Sequence, residues 1–160
     1  QRVETFDWKN LATLINGSVK IKQNVVKKDP FEKGLRKVLN FGHTIGHAVE
    51  AYSLIKDKKP LKHGEAIAVG MICEAFLSKE HGSLSGKELK QISDFVLKYF
   101  PKYSLRNILS PELIKFMRHD KKNNSDLINF TLLKRIGKAV PDNNCTDQQI
   151  SLALNYYDGL

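Results

Sequence analysis

One row of polar side chains constrains the fold of this chain more than any other feature. Arg36, Asn40, His43, His47 and Glu50 follow one another at steps of four, three, four and three residues, so a continuous helix would place all five on one face. Apolar residues and glycines flank the row on both sides. A surface helix usually turns a broad polar face to water. This narrow stripe instead indicates a helix, over about residues 35–52, that lines a cleft inside a protein.

Two glycines, Gly42 and Gly46, lie in the flank of that row. Each costs a helix about 1 kcal/mol relative to alanine, so its presence needs a compensating reason. Close approach of another stretch of backbone is a reason that glycine satisfies. We therefore expect such an approach at Gly42 and Gly46.

Helical patterns dominate the rest of the chain. Residues 66–77 are apolar nearly all round apart from Glu74, which predicts a buried central helix with His63 at its start. Residues 128–133 are typical of a short strand, with 137–140 as its partner. We expect a mostly α, multi-helical fold, with one short β-hairpin allowed by the pattern, in a single domain over residues 1–160. Further helices are predicted over residues 7–28, 86–100, 110–120 and 147–156.

The chain is strongly basic. Lysine and arginine outnumber aspartate and glutamate by 26 to 17, a formal net charge of +9. This balance favours anionic partners such as nucleic acids, acidic membranes or phosphorylated metabolites, although solvated surface lysines give the same balance. The one dense lysine run, over residues 56–62, contains a proline and no aromatic residue, so it favours a loop over a nucleic-acid groove.

Targeting signals and cysteine pairs are not apparent in the sequence. No apolar run approaches the roughly 20 residues that cross a bilayer, and no secretory pattern follows Gln1. Cys73 and Cys145 lack CxxC spacing, so we expect free thiols and a cytoplasmic location. Because the sequence does not begin with methionine, we expect it to be a piece of a longer protein.

Histidines are the strongest candidates for a metal site. His43 and His47 are four residues apart, and His63 lies at a helix N-terminus, where the dipole favours the neutral imidazole that binds metal. Zinc typically takes histidine nitrogens and a carboxylate and keeps one position open. From spacing alone His43 and His47 would share one metal, and packing or surface histidines are the alternative. Of the nearby carboxylates, Glu50 could face solvent and Glu65 could serve the helix N-terminus.

Lys22 occupies an apolar row of the first predicted helix, with Ile15, Val19 and Val26. An ammonium group is costly in such a row unless an anion meets it. Either its stem runs along the edge of the core with the charge in water, or it binds an anionic group.

Four segments carry a more specific pattern. In chain order they are KQNVV at 22–26, GLRKVLNFGHTIGHAVE at 34–50, HGEA with Gly-Met at 63–71, and DKKN at 120–123. These segments closely resemble the 3-dehydroquinate synthase family in order and approximate spacing, and LNFGHTIGHAVE followed by HGEA is the most specific part. The resemblance covers nearly the whole chain, but only the family's C-terminal, mainly helical domain.

The resemblance implies roles for individual residues. His43 and His63 correspond to the family's two histidine zinc ligands, whereas the third ligand is a glutamate upstream of this chain. The family thus assigns His43, and not His47, to zinc. The residues that correspond to substrate-holding or proton-relaying groups are Lys22, Arg36, Asn40 and His47, with Lys22 and His47 as catalytic candidates and Lys121 or Lys122 as a further substrate contact.

The resemblance also implies an activity for the full-length protein. It would convert 3-deoxy-D-arabino-heptulosonate 7-phosphate to 3-dehydroquinate and phosphate, in the shikimate pathway. NAD would be used and regenerated within one turnover, and zinc would polarise the oxygen being oxidised. Lys22 and Arg36 would supply the positive charge that a phosphate dianion needs.

The family's N-terminal NAD-binding domain would be the partner of this chain. No glycine-rich phosphate turn is visible in residues 1–160, so NAD would be bound mainly by that domain. The chain alone is therefore expected to be inactive. Neither nucleic acid nor membrane is an expected partner, and a homodimer is left open.

Two other functions fit parts of the pattern. A related iron- or zinc-dependent polyol or alcohol dehydrogenase also uses helical histidines near a cleft, but releases no phosphate. A basic nucleic-acid-binding module would explain the charge but not the row from Arg36 to Glu50. Two departures from the family, the lysine-rich stretch between His43 and His63 and Asn124-Ser125-Asp126 in place of a common glycine, leave the local substrate geometry open.

Overall fold

Helices make up most of the structure, a computed structural model that describes residues 8–106, 108, 110–120 and 127–160. The chain divides into two compact units, Gln1–Leu39 and Asn40–Leu160. The predicted mostly α class with one hairpin is confirmed, whereas the single metal- and substrate-binding domain over 1–160 stays a prediction. In chain order the elements are α1 (Trp8–Lys28), a 3-10 helix (Leu35–Asn40), α2 (His43–Lys56), α3 (His63–Glu80), α4 (Gly86–Tyr99), α5 (Ser110–Asp120), β1 (Ile128–Arg135), β2 (Lys138–Cys145) and α6 (Asp147–Gly159).

In the first unit, α1 is followed by a loop that is held by the carboxylate of Asp29. Pro30 disfavours the helical conformation for the residue before it, and α1 accordingly ends at Lys28. The Asp29 carboxylate then accepts the backbone N–H groups of Lys33, Gly34 and Arg36 at 2.9, 2.8 and 3.0 Å. These bonds lower the pKa of Asp29, and the bond from the Arg36 N–H has the largest effect.

Apolar side chains on α1 are largely exposed. Leu14 and Ile21 are 69% and 65% exposed, and Ile15 and Val19 are about half exposed at 51% and 47%. Lys22 is exposed as well. The apolar row that contains Lys22 is therefore not part of the buried core of the described residues.

The helix predicted over residues 35–52 is not continuous, which corrects the sequence analysis. A 3-10 helix ends at Asn40, a two-residue turn follows, and α2 begins at His43. Gly42 in this turn has a φ of 84°, in the left-handed region that glycine adopts without a steric penalty. Steps of three and four residues fit 3-10 and α turns alike, so the periodicity could not locate the break. The polar row is thus divided: Arg36 and Asn40 precede the turn, and His43, His47 and Glu50 share one face of α2.

α3 is the central helix of the second unit, as its apolar sequence predicts. It packs against α2, α4, α6 and β1. Ala66, Ile72, Cys73 and Leu77 on this helix are fully buried, and burying a large apolar side chain contributes about 1.5–3 kcal/mol. Cys73 and Cys145 are both buried and are not joined in a disulfide, and burial raises the pKa of the Cys73 thiol.

α2 and α3 cross at three glycines. A Cβ at Gly46 would lie 2.7 Å from Cδ1 and 3.0 Å from Cα of Ile67. A Cβ at Gly42 would lie 2.6 Å from Cγ of Met71, and one at Gly70 would collide with the carbonyl oxygen of Gly42. The predicted close backbone approach at Gly42 and Gly46 is therefore confirmed, and Gly70 supplies the facing surface.

The predicted hairpin forms and is longer than expected. β1 and β2 pair antiparallel, from Ile128 opposite Cys145 to Arg135 opposite Lys138. The Ser78 hydroxyl on α3 accepts the Leu133 N–H at 2.9 Å, which ties the hairpin to the central helix. None of the helices within residues 8–106, 110–120 and 127–160 is both long and apolar enough to span a lipid bilayer.

Candidate metal centre

Three histidine rings converge where α2 and α3 cross. His43 and His47 lie one turn apart on α2, and His63 is the first residue of α3. The ring centroids are 5.3 Å apart for His43 and His47, 5.8 Å for His43 and His63, and 5.7 Å for His47 and His63. One potential ligand nitrogen from each ring lies within 4.8 Å of the others. In the part of the chain that the structure describes, this is the one group of three or more potential metal ligands.

A backbone hydrogen bond orients His43. Its Nδ1 lies 3.2 Å from the carbonyl oxygen of Phe41, which can only accept, so Nδ1 carries the proton and Nε2 keeps its lone pair in the neutral ring. Burial lowers the pKa of His43, and His47 and His63 act in the same direction. The bond to Phe41 and the charge of Glu50 oppose that shift. The net shift favours the neutral imidazole, the form that ligates a metal.

A carboxylate orients His63. The Nδ1 of His63 lies 3.0 Å from Oε2 of Glu50. An ionised carboxylate only accepts hydrogen bonds, so Nδ1 donates and Nε2 is the nitrogen available to bind a metal. The group of three histidines does not include Glu50, and the Glu50 side chain, 25% exposed, does not simply face solvent.

The loop that precedes α3 is anchored at its last two residues, Leu61 and Lys62. The buried Ser53 hydroxyl donates to the carbonyl oxygen of Glu50 at 3.2 Å and accepts the Leu61 N–H at 3.0 Å. The Lys62 N–H donates to Oε2 of Glu65 at 2.8 Å. Glu65 therefore serves the N-terminus of α3, one of the two roles that its position allowed.

A fully buried carboxylate on α3 holds the beginning of α2. Glu74 is 0% exposed, and its Oε2 and Oε1 accept the N–H groups of Gly42 at 2.6 Å and Ile45 at 3.1 Å. The first N–H groups of a helix lack intrahelical partners, and the helix dipole favours negative charge there. Glu74 meets both needs and so fixes the turn from which His43 projects.

The donor set suits a divalent transition metal. Imidazole nitrogen is a common ligand of zinc and related metals. A ligating histidine almost always donates its other N–H to a carboxylate, carbonyl or water. His43 and His63 both have this arrangement, and His47 offers a third imidazole in the same cluster.

Two of the cations nominated from the sequence, Lys22 and Arg36, belong to the first unit and are described there by themselves. Lys22 is exposed on α1. The Arg36 guanidinium donates to the carbonyl oxygen of Pro30 at 3.0 Å and forms an ion pair with Glu32 at 3.7 Å. Together with the Asp29 bond to its backbone, these contacts constrain Arg36 at both main chain and side chain.

Comparison with known proteins shows which family shares this pattern. The family model described as 3-dehydroquinate synthase C-terminal matches residues 1–123. The chain belongs to this family. The curated 3-dehydroquinate synthase of Parabacteroides distasonis is 37% identical over 97% of the chain and 44% of its own length. The chain thus spans less than half the length of this relative.

Two solved structures with a similar fold contain NAD+ and a metal. A 2-deoxy-scyllo-inosose synthase in complex with carbaglucose-6-phosphate, NAD+ and Co2+ is 25% identical, with a TM-score of 0.76 over 94% of the chain and 43% of its own. ValA, a 2-epi-5-epi-valiolone synthase from Streptomyces hygroscopicus with NAD+ and Zn2+ bound, is 25% identical, with a TM-score of 0.73 over 92% of the chain and 40% of its own.

The sequence resemblance to 3-dehydroquinate synthase singled out eight residues, of which the structure brings His43, His47 and His63 together. Asn40 is exposed at the end of the 3-10 helix that leads to α2. Lys121 and Lys122 lie outside the described residues. The roles assigned to all eight stay predictions.

Three supporting carboxylates were not recognised from the sequence. Glu74 had a signal, because it is the single charge in an otherwise apolar stretch of α3. Glu50 was considered only as a ligand or a solvent-facing residue, although it is one turn from His47 on the face that carries the histidines. Asp29 directly precedes Pro30, at the end of the first predicted helix, and no role was assigned to its carboxylate from the sequence.

Proposed function

We propose that this chain is the metal- and substrate-binding part of a 3-dehydroquinate synthase. The full-length enzyme would convert 3-deoxy-D-arabino-heptulosonate 7-phosphate to 3-dehydroquinate and phosphate, with NAD bound mainly by an N-terminal domain. The family match supports this activity. The observation that carries the proposal is the convergence of three imidazoles at the crossing of α2 and α3.

In this proposal His43 and His63 hold zinc through their Nε2 atoms. Their Nδ1 atoms are each engaged by an acceptor, which supports this choice of nitrogen. A divalent metal at such a site supplies a Lewis acid that polarises a substrate oxygen. His47 lies within 6 Å of both rings, at 5.3 and 5.7 Å, so it can exchange a proton with a substrate group bound beside them.

The basic residues bind the anionic groups of the substrate. Arg36 presents a planar guanidinium that can grip a phosphate or carboxylate with two parallel hydrogen bonds, and Lys22 adds a point charge. The Asn40 amide can both donate to and accept from a substrate hydroxyl. Either Lys121 or Lys122 makes a further contact. The net charge of +9 also favours capture of a phosphorylated substrate.

A metal-dependent polyol or alcohol dehydrogenase is the alternative function. Both families would place histidines and NAD near a cleft, so cofactor binding alone does not separate them. One solved relative holds a sugar phosphate analogue together with NAD+ and Co2+, which favours a phosphorylated substrate for this chain. Phosphate release distinguishes the two reactions, because a simple dehydrogenase releases none.

The test is a phosphate-release assay on the full-length protein with zinc, NAD and the heptulosonate phosphate. We expect phosphate and dehydroquinate in equal amounts without accumulation of NADH. Removing the hydrogen-bond partner of a metal ligand typically reduces activity by about 10–100-fold. Since His43→Ala removes a proposed ligand itself, we expect its rate of phosphate release to fall by more than that. His81→Ala, at the other end of α3, is the matched control and should retain activity.

Two outcomes would contradict the proposal. One is NADH accumulation with a polyol and no phosphate release from the heptulosonate. The other is equal activity of His43→Ala and His81→Ala. The 160-residue chain alone, which lacks a nucleotide-binding turn, is expected to release no phosphate.

A further inference from the structure

We propose that Glu50 is a positioning residue of the metal site. Its carboxylate holds the His63 ring in the tautomer with the proton on Nδ1, so that Nε2 is the nitrogen available to a metal. The inference rests on the proposed function, because it takes His63 as a ligand. It adds a residue that is neither a ligand nor a substrate contact.

The contact between Glu50 and His63 joins two elements that the sequence keeps apart. Oε2 of Glu50, on α2, lies 3.0 Å from Nδ1 of His63, the first residue of α3. Exposed ion pairs contribute little to folding stability. The main effect of this contact is therefore on the orientation of the His63 ring. A carboxylate accepts only from a protonated nitrogen, so the contact turns the protonated Nδ1 towards Glu50.

His63 needs such an external partner more than His43 does. The His63 side chain is 56% exposed, so packing alone does not fix the rotation of its ring. His43 is half-buried, and its own Nδ1 is held by the carbonyl oxygen of Phe41. Glu50 thus does for His63 what a backbone carbonyl does for His43, and its negative charge additionally strengthens the imidazole as a ligand.

The position of Glu50 is itself fixed by the fold. Glu50 is one turn beyond His47 on the same face of α2, so its side chain points towards the start of α3 as far as His63. Ser53 bonds both to the carbonyl oxygen of Glu50 and to the Leu61 N–H, which holds the loop before His63 against this turn of α2. The backbone near both Glu50 and His63 is therefore held in place by these hydrogen bonds.

Glu50→Gln tests the inference in the full-length protein. The amide can accept from Nδ1 or donate to it, so it no longer selects one tautomer of His63. We expect zinc affinity, measured by competition with a chelator, to fall by about 10–100-fold. Glu50→Ala should show at least the same loss.

Glu65→Gln is the matched control. It removes the same charge within three residues of His63, but its partner is the Lys62 N–H, which the amide oxygen can still accept. We expect Glu65→Gln to keep wild-type zinc affinity. Thermal unfolding of both variants should match the wild type, which separates positioning from a loss of structure.

Two spectroscopic readouts identify the mechanism. In metal-free protein with 15N-labelled histidine, the wild-type His63 should show protonated Nδ1 and unprotonated Nε2, and Glu50→Gln should show a mixture. With saturating Co2+, the visible absorption spectrum of Glu50→Gln should match that of the wild type, because the ligands are the same.

Each contrary outcome has a definite meaning. Wild-type zinc affinity and tautomer in Glu50→Gln would overturn the inference, as would an equal loss in Glu65→Gln. A changed spectrum at saturating Co2+ would make Glu50 a ligand and overturn it too. If the wild type and His43→Ala bind zinc equally, both the metal site of the proposed function and the inference about Glu50 are wrong. If His43→Ala loses zinc affinity while Glu50→Gln keeps it, only the inference about Glu50 is wrong.

Discussion

The absence of side chains at three positions allows the two histidine-bearing helices to meet. Gly42 and Gly46 on one side and Gly70 on the other leave backbone in contact with backbone where α2 and α3 cross. A methyl group at Gly70 would meet the carbonyl oxygen of Gly42, which is not the flexible end of a side chain and cannot move aside cheaply. The separation of the helices, and with it the distance between His43 and His63, depends on these atoms.

Gly70→Ala is therefore predicted to destabilise the protein despite the higher helix propensity of alanine. We expect a loss of about 1–3 kcal/mol in the free energy of unfolding, measured with urea, because overpacking forces the two helices apart. Gly86→Ala at the start of α4, where nothing lies within 4 Å of the added Cβ, is the control and should leave stability unchanged or slightly higher. Equal effects of the two substitutions would argue against the close crossing.

At the scale of elements, the beginning of α2 depends on a charge that α3 supplies. Glu74 is buried in the core, and both of its carboxylate oxygens accept backbone N–H groups from the first turn region of α2. A buried carboxylate is costly unless it is fully hydrogen-bonded. Here the bonds and the positive end of the α2 dipole offset that cost.

Glu74→Gln should lower the free energy of unfolding by about 1–3 kcal/mol, because an amide has one acceptor oxygen and leaves one buried N–H without a partner. Glu80→Gln, on the same helix and exposed beside Lys79, should change it by less than about 1 kcal/mol. Urea unfolding of both variants measures the difference. A loss no greater than that of Glu80→Gln would show that Glu74 does not hold the start of α2.

Element types could be predicted from the sequence more reliably than the interruption between two of them. The buried α3, the hairpin and the later helices follow from apolar patterning and from proline and capping residues such as Pro111 and Thr146. The break at Gly42 does not, because a 3-10 turn and an α turn tolerate the same spacing of apolar residues. The carboxylate that accepts the Gly42 N–H at this break, Glu74, lies 32 residues away in sequence.

At the scale of the whole molecule, the residues of the candidate metal site can be identified from local sequence patterns. The contacts that orient these residues cannot. The spacing of His43 and His47 and the placement of His63 before an apolar helix were sufficient to nominate all three. The partner of His63 could not be predicted, since it depends on how α2 and α3 pack together. Lys22 was nominated by its place in an apolar row and Arg36 by the polar row, each together with the family resemblance, and their roles stay predictions.

The location of bound metal tests the account most directly. We would measure anomalous diffraction on both sides of the zinc absorption edge from crystals of the full-length protein. We expect one zinc peak about 2.0–2.1 Å from Nε2 of both His43 and His63. A peak bound through Nδ1 of either ring, or stoichiometric zinc located away from these histidines, would contradict it.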